Sequence, residues 1–114
     1  MKNIQLTCAH AIVKFLIKQK ILINGKKEPL FPGVFGIFGH GNVACLGQAL
    51  EENQKDLPTW RGHHEQNMAL TGIAYSRAKR RKQIFIATSS VGPGSTNMLT
   101  AAAVAMSNRL PILF

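Results

Sequence analysis

The chain has 114 residues, of which 46% are hydrophobic and 17% charged, values typical of a small globular domain and not of a disordered segment. Its net charge of +9 raises the question of a nucleic-acid partner. The densest basic run, Arg77 to Lys82, contains no aromatic side chain that could stack on bases. We interpret it as the solvated end of a helix, where cations also suit the helix dipole, and expect no nucleic-acid partner.

Neither a membrane span nor a signal peptide is predicted. No apolar run approaches the roughly 18 residues that a span requires. The N-terminal apolar stretch is interrupted by His10, Lys14 and Lys18, unlike a signal peptide. Cys8 and Cys45 have no metal-type spacing and are predicted to be reduced, buried thiols. These features predict a cytoplasmic protein without a membrane partner.

The first part of the chain is predicted to be a helix followed by a loop. Thr7 is a suitable N-cap for a helix that ends near Gln19. Glycine and proline recur over residues 24–33, which predicts a loop there. Residues 1–33 are therefore expected to form an N-terminal helix and loop outside the main domain.

From residue 34 onward, predicted strands and helices alternate. The strands are 34–38, a short one near 59–60, 84–87 and 110–114, and the helices are 43–52, 65–80 and 96–107. Such alternation predicts an α/β fold, a parallel sheet with flanking helices built from βαβ units. The last apolar run stops at Phe114 without a closing helix. We therefore expect a truncated chain, with residues 34–114 forming the start of a larger domain.

The loops that follow the strands contain the residues that could carry chemistry, because ligands of parallel sheets bind at the carboxyl ends of strands. The turn at 39–44, Gly-His-Gly-Asn-Val-Ala, fits a dinucleotide fingerprint. The acid expected about 20 residues later, which would hold the ribose, is replaced by Arg61. A dinucleotide-binding oxidoreductase stays open as an alternative.

Two further loops complete the set. His63-His64-Glu65 lacks the second histidine of a zinc-protease motif, because Met68 occupies its place, so we predict a helix cap and no metal site. Gly92-Pro93-Gly94 would let the backbone approach a flat ligand closely.

Together these segments resemble a known family. A strand, a glycine-rich turn, His64-Glu65-Gln66 and then the run from Thr88 to Asn97 resemble the pyrimidine-binding domain of thiamine-diphosphate enzymes of the acetolactate-synthase type. Within that family, residues 37–43, 47–51 and 89–94 resemble the ring-opening hydrolases of myo-inositol catabolism. Those hydrolases convert trihydroxycyclohexane-1,2-dione to 5-deoxy-glucuronate. Residues 64–67, His-Glu-Gln-Asn, are closer to acetolactate synthase, so a carboligase of that type stays open as an alternative.

The resemblance implies thiamine diphosphate as the cofactor. It implies that Glu65 activates the cofactor through a hydrogen bond to the pyrimidine ring nitrogen. An apolar pocket would raise the pKa of Glu65, whereas the first turn of a helix would lower it, and the sequence leaves both effects open. Thr88, Pro93 and Asn97 are implied to line the pyrimidine pocket.

The resemblance also implies the substrate side of the site. His40 is a candidate for proton transfer or substrate positioning, because histidine titrates near neutrality, although a structural role for it stays open. Asn42 and Gln66 are candidates for contacts with the cyclic dione. The family's diphosphate and Mg²⁺ site lies on a second domain, so we expect a homodimer or tetramer with its active site at a subunit interface. The 114 residues alone are expected to be inactive.

Overall fold

The computed structural model describes residues 3–114. The strands are β1 (Lys20–Ile23), β2 (Lys26–Pro29), β3 (Val34–Ile37), β4 (Thr59–Arg61) and β5 (Ile86–Ser89). The helices are α1 (Cys8–Lys18), α2 (His40–Asn42), α3 (Gln48–Glu52), α4 (Glu65–Ala78), α5 (Pro93–Thr96) and α6 (Leu99–Ser107), and a π-helical segment, Val43–Gly47, joins α2 to α3. Within this part of the chain, no helix is long and apolar enough to cross a bilayer.

The central sheet contains three parallel strands in the order β4-β3-β5. Val34 aligns with Thr59 on one side and with Ile86 on the other. Leu113 adds an isolated parallel bridge to Ile86, so the strand predicted over 110–114 is reduced to a single pairing. The predicted α/β fold with a parallel sheet and flanking helices is confirmed.

Two apolar clusters cover the two faces of the sheet, because side chains alternate along each strand. Ile86 packs with the cluster that α1 and α3 contribute to, and its neighbour Ala87 packs with the cluster from α4 and α6. The first cluster comprises Val13, Leu16, Val34, Ala49, Leu50, Leu57 and Ile86. The second comprises Met68, Ala69, Ile73, Ala87, Met98, Ala101 and Ala105. Helices on both faces fix the sheet and leave its carboxyl edge accessible.

The N-terminal region differs from the predicted helix and loop. Helix α1 begins as expected, with the Thr7 side chain accepting a hydrogen bond from the amide of His10. The residues predicted as loop instead contribute to an antiparallel hairpin of β1 and β2. Its turn is Asn24-Gly25, with φ of 50° and 78°. Asn-Gly with positive φ at both positions is the preferred two-residue hairpin turn, and this signal overrides the loop prediction.

Two boundaries in the main domain also differ. Residues 39–42 are not a free turn, because helix α2 already begins at His40, with the Val43 amide donating to the carbonyl of Gly39. Strand β5 spans Ile86–Ser89 and not 84–87. The Ile84 amide donates to the carbonyl of Leu30 and so lies before the ladder with β3. The prediction of buried cysteines is wrong, since Cys8 and Cys45 are both exposed.

The free edge of β4 is occupied by a side chain. The amide and carbonyl of Thr59 point away from β3, because the ladder between these strands uses Pro58 and its alternate neighbours. The Gln54 side chain donates to the carbonyl of Thr59 and accepts from its amide, at 3.0 Å each. The side-chain amide of Gln54 therefore satisfies the outward-facing amide and carbonyl of Thr59, which an edge strand would otherwise leave unpaired.

At the amino edge of the sheet, α4 and α6 end in the same motif. The Arg81 amide donates to Ser76 O at the end of α4, and the Leu110 amide donates to Ala105 O at the end of α6. This pattern places the preceding residue in the left-handed region, where glycine is usual. Here that residue is an arginine in both helices, Arg80 with φ 53° and Arg109 with φ 52°.

The two helix ends are also joined by a side chain. The guanidinium of Arg81 donates to the carbonyls of Arg109 and Asn108, at 2.9 and 3.5 Å. These carbonyls lie at the end of α6, so the cation compensates the negative end of the helix dipole. We call this region, residues 77–82 and 108–109, the arginine end.

Candidate functional site

The loops after β3, β4 and β5 meet at the carboxyl edge of the sheet, as the topology predicts. The clearest contact joins the second and third loops: the side-chain amide of Asn97 donates to Oε2 of Glu65 at 2.8 Å. Glu65 is the first residue of α4, and Asn97 follows the short helix α5. The fold therefore brings together two of the residues predicted to bind the cofactor.

His64 fixes the start of α4. Its Nδ1 accepts a hydrogen bond from the amide of Asn67, at 3.4 Å, as an N-cap. Its Nε2 lies 3.5 Å from the side-chain nitrogen of Asn97. The predicted helix-capping role of this histidine loop is thus seen in the structure, and the same ring borders the Asn97–Glu65 pair.

The structure resolves the two opposing effects on Glu65. The hydrogen bond from Asn97 holds the pKa of this half-buried carboxyl below its ordinary value of 4.5, and a hydrogen bond from its own backbone amide and the nearby His64 act in the same direction. Partial desolvation opposes them and is outweighed. Because the pKa is lowered by folding, Glu65 stabilises the native chain above its unfolded pKa, and this contribution is lost as the pH falls through the folded pKa.

Two glycines make room for Ser90 beside this carboxylate. A Cβ at Gly94 would lie 2.5 Å from Ser90 Oγ and 3.2 Å from Glu65 Oε1, and a Cβ at Gly39 would lie 2.6 Å from Ser90 Cβ. Ser90 thus lies between the first loop and the third. Ser90 was predicted only as part of a loop motif, because its place between the glycines depends on a contact that local sequence does not reveal.

A cleft next to Ser90 contains the residues proposed for the substrate. It is lined by Phe38, Gly39, His40, Gly41, Asn42, Ser90 and Val91. The His40 side chain is exposed there and forms no hydrogen bond within residues 3–114, so it has no structural role through hydrogen bonding. The side chain of Asn42 donates to the carbonyl of Ser89 at 3.2 Å, which ties the first loop to the end of β5.

The remaining candidates are placed differently. Thr88 lies within β5 and its side chain lines a separate cleft with Leu16 and Leu113, on the α1 face of the sheet. The strand extends two residues further than expected and so includes Thr88, and the role of this residue in lining the pyrimidine pocket stays a prediction. Pro93 is exposed at the first position of α5, and Gln66 is half-buried in the first turn of α4.

The arrangement provides hydrogen-bonding groups and differs from a dinucleotide site. The Glu65 carboxylate and the Asn97 side-chain amide provide hydrogen-bonding groups, and Gly39 and Gly94 allow Ser90 to pack closely against their backbone. No group of three or more metal-ligating side chains occurs in residues 3–114. The dinucleotide alternative lacks its ribose-binding acid, because β4 ends in Arg61 and Glu65 is bonded to Asn97.

Comparison with known proteins agrees with this geometry. Residues 30–114 match the family model described as "Thiamine pyrophosphate enzyme, N-terminal TPP binding domain". The matched range includes every residue discussed above for the carboxyl edge. No solved structure matches the chain.

Among curated relatives, three 3D-(3,5/4)-trihydroxycyclohexane-1,2-dione hydrolases are similar over 113 residues, 99% of this chain. The identity is 50% to the protein of Listeria innocua, 52% to that of Geobacillus thermodenitrificans and 50% to that of Bacillus thuringiensis. The chain spans 18% of the length of each of these relatives. The family match covers most of the chain, and the chain therefore belongs to the thiamine pyrophosphate enzymes, as their N-terminal TPP binding domain.

Proposed function

We propose that this chain is the pyrimidine-binding part of a thiamine-diphosphate-dependent hydrolase that opens the ring of trihydroxycyclohexane-1,2-dione to give 5-deoxy-glucuronate in myo-inositol catabolism. The observation that carries the proposal is the Glu65 carboxylate, held by Asn97 at the carboxyl edge of a thiamine pyrophosphate domain. The names of the similar hydrolases supply the substrate.

Glu65 is the residue that acts on the cofactor. When bound, thiamine diphosphate supplies the carbon nucleophile and the electron sink for cleavage of the carbon–carbon bond. Glu65 shares a proton with the pyrimidine ring nitrogen and thereby controls whether that nitrogen is protonated. Glycine at position 94 keeps a side chain away from Oε1 of Glu65, since a Cβ there would lie 3.2 Å from this oxygen. Pro93, at the tip of the same loop, bounds the pocket.

The exposed cleft beside Ser90 is the proposed place for the dione. His40 is free to donate or accept a proton at a carbonyl or hydroxyl of the substrate. Asn42 supports that loop through its bond to Ser89 O, and Gln66 lies at the start of α4, within the same edge. Water completes the reaction, adding across the carbon–carbon bond that breaks.

A second domain and a second subunit are proposed to complete the active site. Mg²⁺ and the diphosphate would be held by a second domain, and the active site would lie between subunits of a cytoplasmic homodimer or tetramer. Their support is the short span of the chain, 18% of each hydrolase, together with a domain that binds one end of the cofactor.

A carboligase of the acetolactate-synthase type is the second candidate. Residues 64–67, His-Glu-Gln-Asn, favour it, because the hydrolases are expected to have Asn-Glu-Gln-Gly there. The structure adds a role for the first of these residues, since His64 caps α4 and borders Asn97.

A chimera tests the proposal directly. This chain would replace the matched 113 residues of the Listeria innocua relative, and the purified protein would be assayed with thiamine diphosphate and Mg²⁺. We expect turnover of the dione and none of pyruvate. Turnover of pyruvate to acetolactate instead would favour the carboligase. A folded chimera that turns over neither substrate, with the unmodified relative active on the dione, would contradict the proposal.

A further inference from the structure

The contact between Asn97 and Glu65 joins residues that are 32 positions apart in the sequence. Asn97 is placed by backbone geometry: its amide donates to the carbonyl of Pro93 at 2.9 Å, closing helix α5. Its side chain is half-buried and points at the first residue of α4. The loop after β5 therefore delivers a hydrogen-bond donor to the Glu65 carboxylate.

Asn97 uses only one of the two carboxylate oxygens. It donates to Oε2, whereas Oε1 faces the Gly94 position, where an added Cβ would come within 3.2 Å. No other side chain in the described part of the chain donates to this carboxylate at hydrogen-bond distance. Oε1 thus receives no side-chain hydrogen bond within residues 3–114 and is available to a ligand.

We infer that Asn97 is a positioning residue: its side-chain amide fixes the orientation of Glu65 and favours the carboxylate form, so that Oε1 is presented to the ring nitrogen of the bound pyrimidine. This inference rests on the proposed function for its ligand, but the Asn97–Glu65 interaction itself is a property of the chain alone. His64 is the titratable group next to the pair, with Nε2 at 3.5 Å from the Asn97 nitrogen.

The chemical consequence follows from which form the donor stabilises. A hydrogen bond to the ionised carboxylate favours that form over the protonated acid. When Glu65 passes its proton to the ring nitrogen, the carboxylate left behind is the form that Asn97 stabilises. Without the amide, the proton is held more tightly by Glu65 and less of it resides on the ring. Asn97 therefore acts through Glu65, in addition to lining the pocket.

The test is an NMR titration of the Glu65 side-chain carboxyl in the full chain and its variants. Asn97→Ala removes the donor, and we expect the pKa of Glu65 to rise toward 4.5. Asn97→Asp keeps the size of the side chain, removes the donor and adds a negative charge, so the pKa should rise further. The control is Asn108→Ala, because the Asn108 side chain donates only to Val104 O at the end of α6.

The order of the three pKa values decides the inference. A pKa that rises from wild type to Asn97→Ala and again to Asn97→Asp supports it, and an unchanged pKa in a folded Asn97→Ala chain overturns it. If the alanine variant does not fold, the Asn97→Asp comparison alone decides in the same way. A merely structural asparagine would not give this order, because aspartate and asparagine have nearly the same volume.

A second titration separates this result from the proposed function. The probe is 4-amino-5-hydroxymethyl-2-methylpyrimidine, the pyrimidine half of the cofactor, added to the same chains. We expect its Kd to increase about tenfold in Asn97→Ala, which corresponds to about 1.4 kcal/mol. If the pKa of Glu65 rises in the expected order across the variants but wild type does not bind the probe, Asn97 still positions Glu65 and the pyrimidine-binding function fails. If wild type binds the probe but the pKa does not respond to Asn97, the function stands and the positioning role is overturned.

Discussion

The carboxyl edge of the sheet and the arginine end use glycine and arginine in opposite ways. At the carboxyl edge, Gly94 and Gly39 occupy positions where a Cβ would come within 2.6 Å of Ser90, although neither has a positive φ. At the arginine end, Arg80 and Arg109 occupy positive φ, where glycine would be favoured. Glycine is thus found where space is needed, and arginine where the backbone alone would prefer glycine.

The polar contacts of the two ends differ as well. At the carboxyl edge, side chain bonds to side chain across separate elements, as in Asn97 and Glu65. At the arginine end, the Arg81 guanidinium bonds to backbone carbonyls that close α6. We propose that side chains at the first end bind a ligand, whereas those at the second stabilise helix termini. The following substitutions test this difference, beginning with the largest expected effect.

Glu65→Gln, introduced into the chimera with the Listeria innocua relative, should reduce dione turnover by at least about a hundredfold, the lower part of the range for acid–base groups. Thermal stability should change little, because a glutamine oxygen can still accept from Asn97. The matched control is Glu51→Gln, an exposed position on α3, which should leave the rate near normal. Near-normal turnover in Glu65→Gln would show that the Glu65 carboxylate is not needed for the reaction.

Gly94→Ala should destabilise the chain by about 1–3 kcal/mol, the usual cost of overpacking, because the new Cβ would lie 2.5 Å from Ser90 Oγ. Gly41 is the matched control: an alanine Cβ there meets nothing within 4 Å, and the residue lies in helix α2. Gly41→Ala should be neutral or stabilising by up to about 1 kcal/mol. Urea unfolding measures both. Equal changes in the free energy of unfolding for the two substitutions would show that close packing against Ser90 is not the reason for glycine at position 94.

His40→Ala in the same chimera should lower the rate of dione turnover by at least about tenfold, or 1.4 kcal/mol of barrier. Its side chain is exposed in the cleft and forms no hydrogen bond within residues 3–114, so stability should be unaffected. His63→Ala serves as the comparison, being an exposed histidine that does not line this cleft. An unchanged rate in His40→Ala would leave this histidine without a catalytic role.

Arg80→Gly should stabilise the chain by about 1 kcal/mol, because a left-handed conformation costs a residue with a Cβ roughly that much. Lys79→Gly is the control, since Lys79 has φ −83° and gains nothing from glycine. Thermal unfolding should give a higher Tm for the first variant and an equal or lower one for the second. A lower Tm for Arg80→Gly would mean that contacts of the arginine side chain stabilise the fold by more than the left-handed backbone conformation destabilises it.

The order of strands and helices could be predicted because hydrophobic runs and glycine-bearing turns alternate regularly, and the convergence of the loops at one edge follows from parallel topology. The place of Thr88 could not, since an error of two residues at the start of β5 moves a side chain from loop to strand. The hairpin at Asn24-Gly25 was missed although its turn residues are a strong local signal.

The details of the site depend on distant contacts. Glu65 was identified from a resemblance, but its lowered pKa depends on Asn97, which local sequence around Glu65 does not reveal. Likewise, the packing of Ser90 between Gly39 and Gly94 requires the loops after β3 and β5 to be in place. Sequence patterns predict which residues reach an edge of the sheet, whereas packing decides which of them touch.

The Gln54 side chain affects whether a further strand can pair with β4. Its amide occupies the hydrogen-bonding positions of Thr59 on the outer side of β4, so a further strand cannot pair there without displacing it. On the other side, β5 already accepts Leu113 as a parallel neighbour. At Thr59, pairing with another molecule through β4 is therefore opposed by a single uncharged side chain.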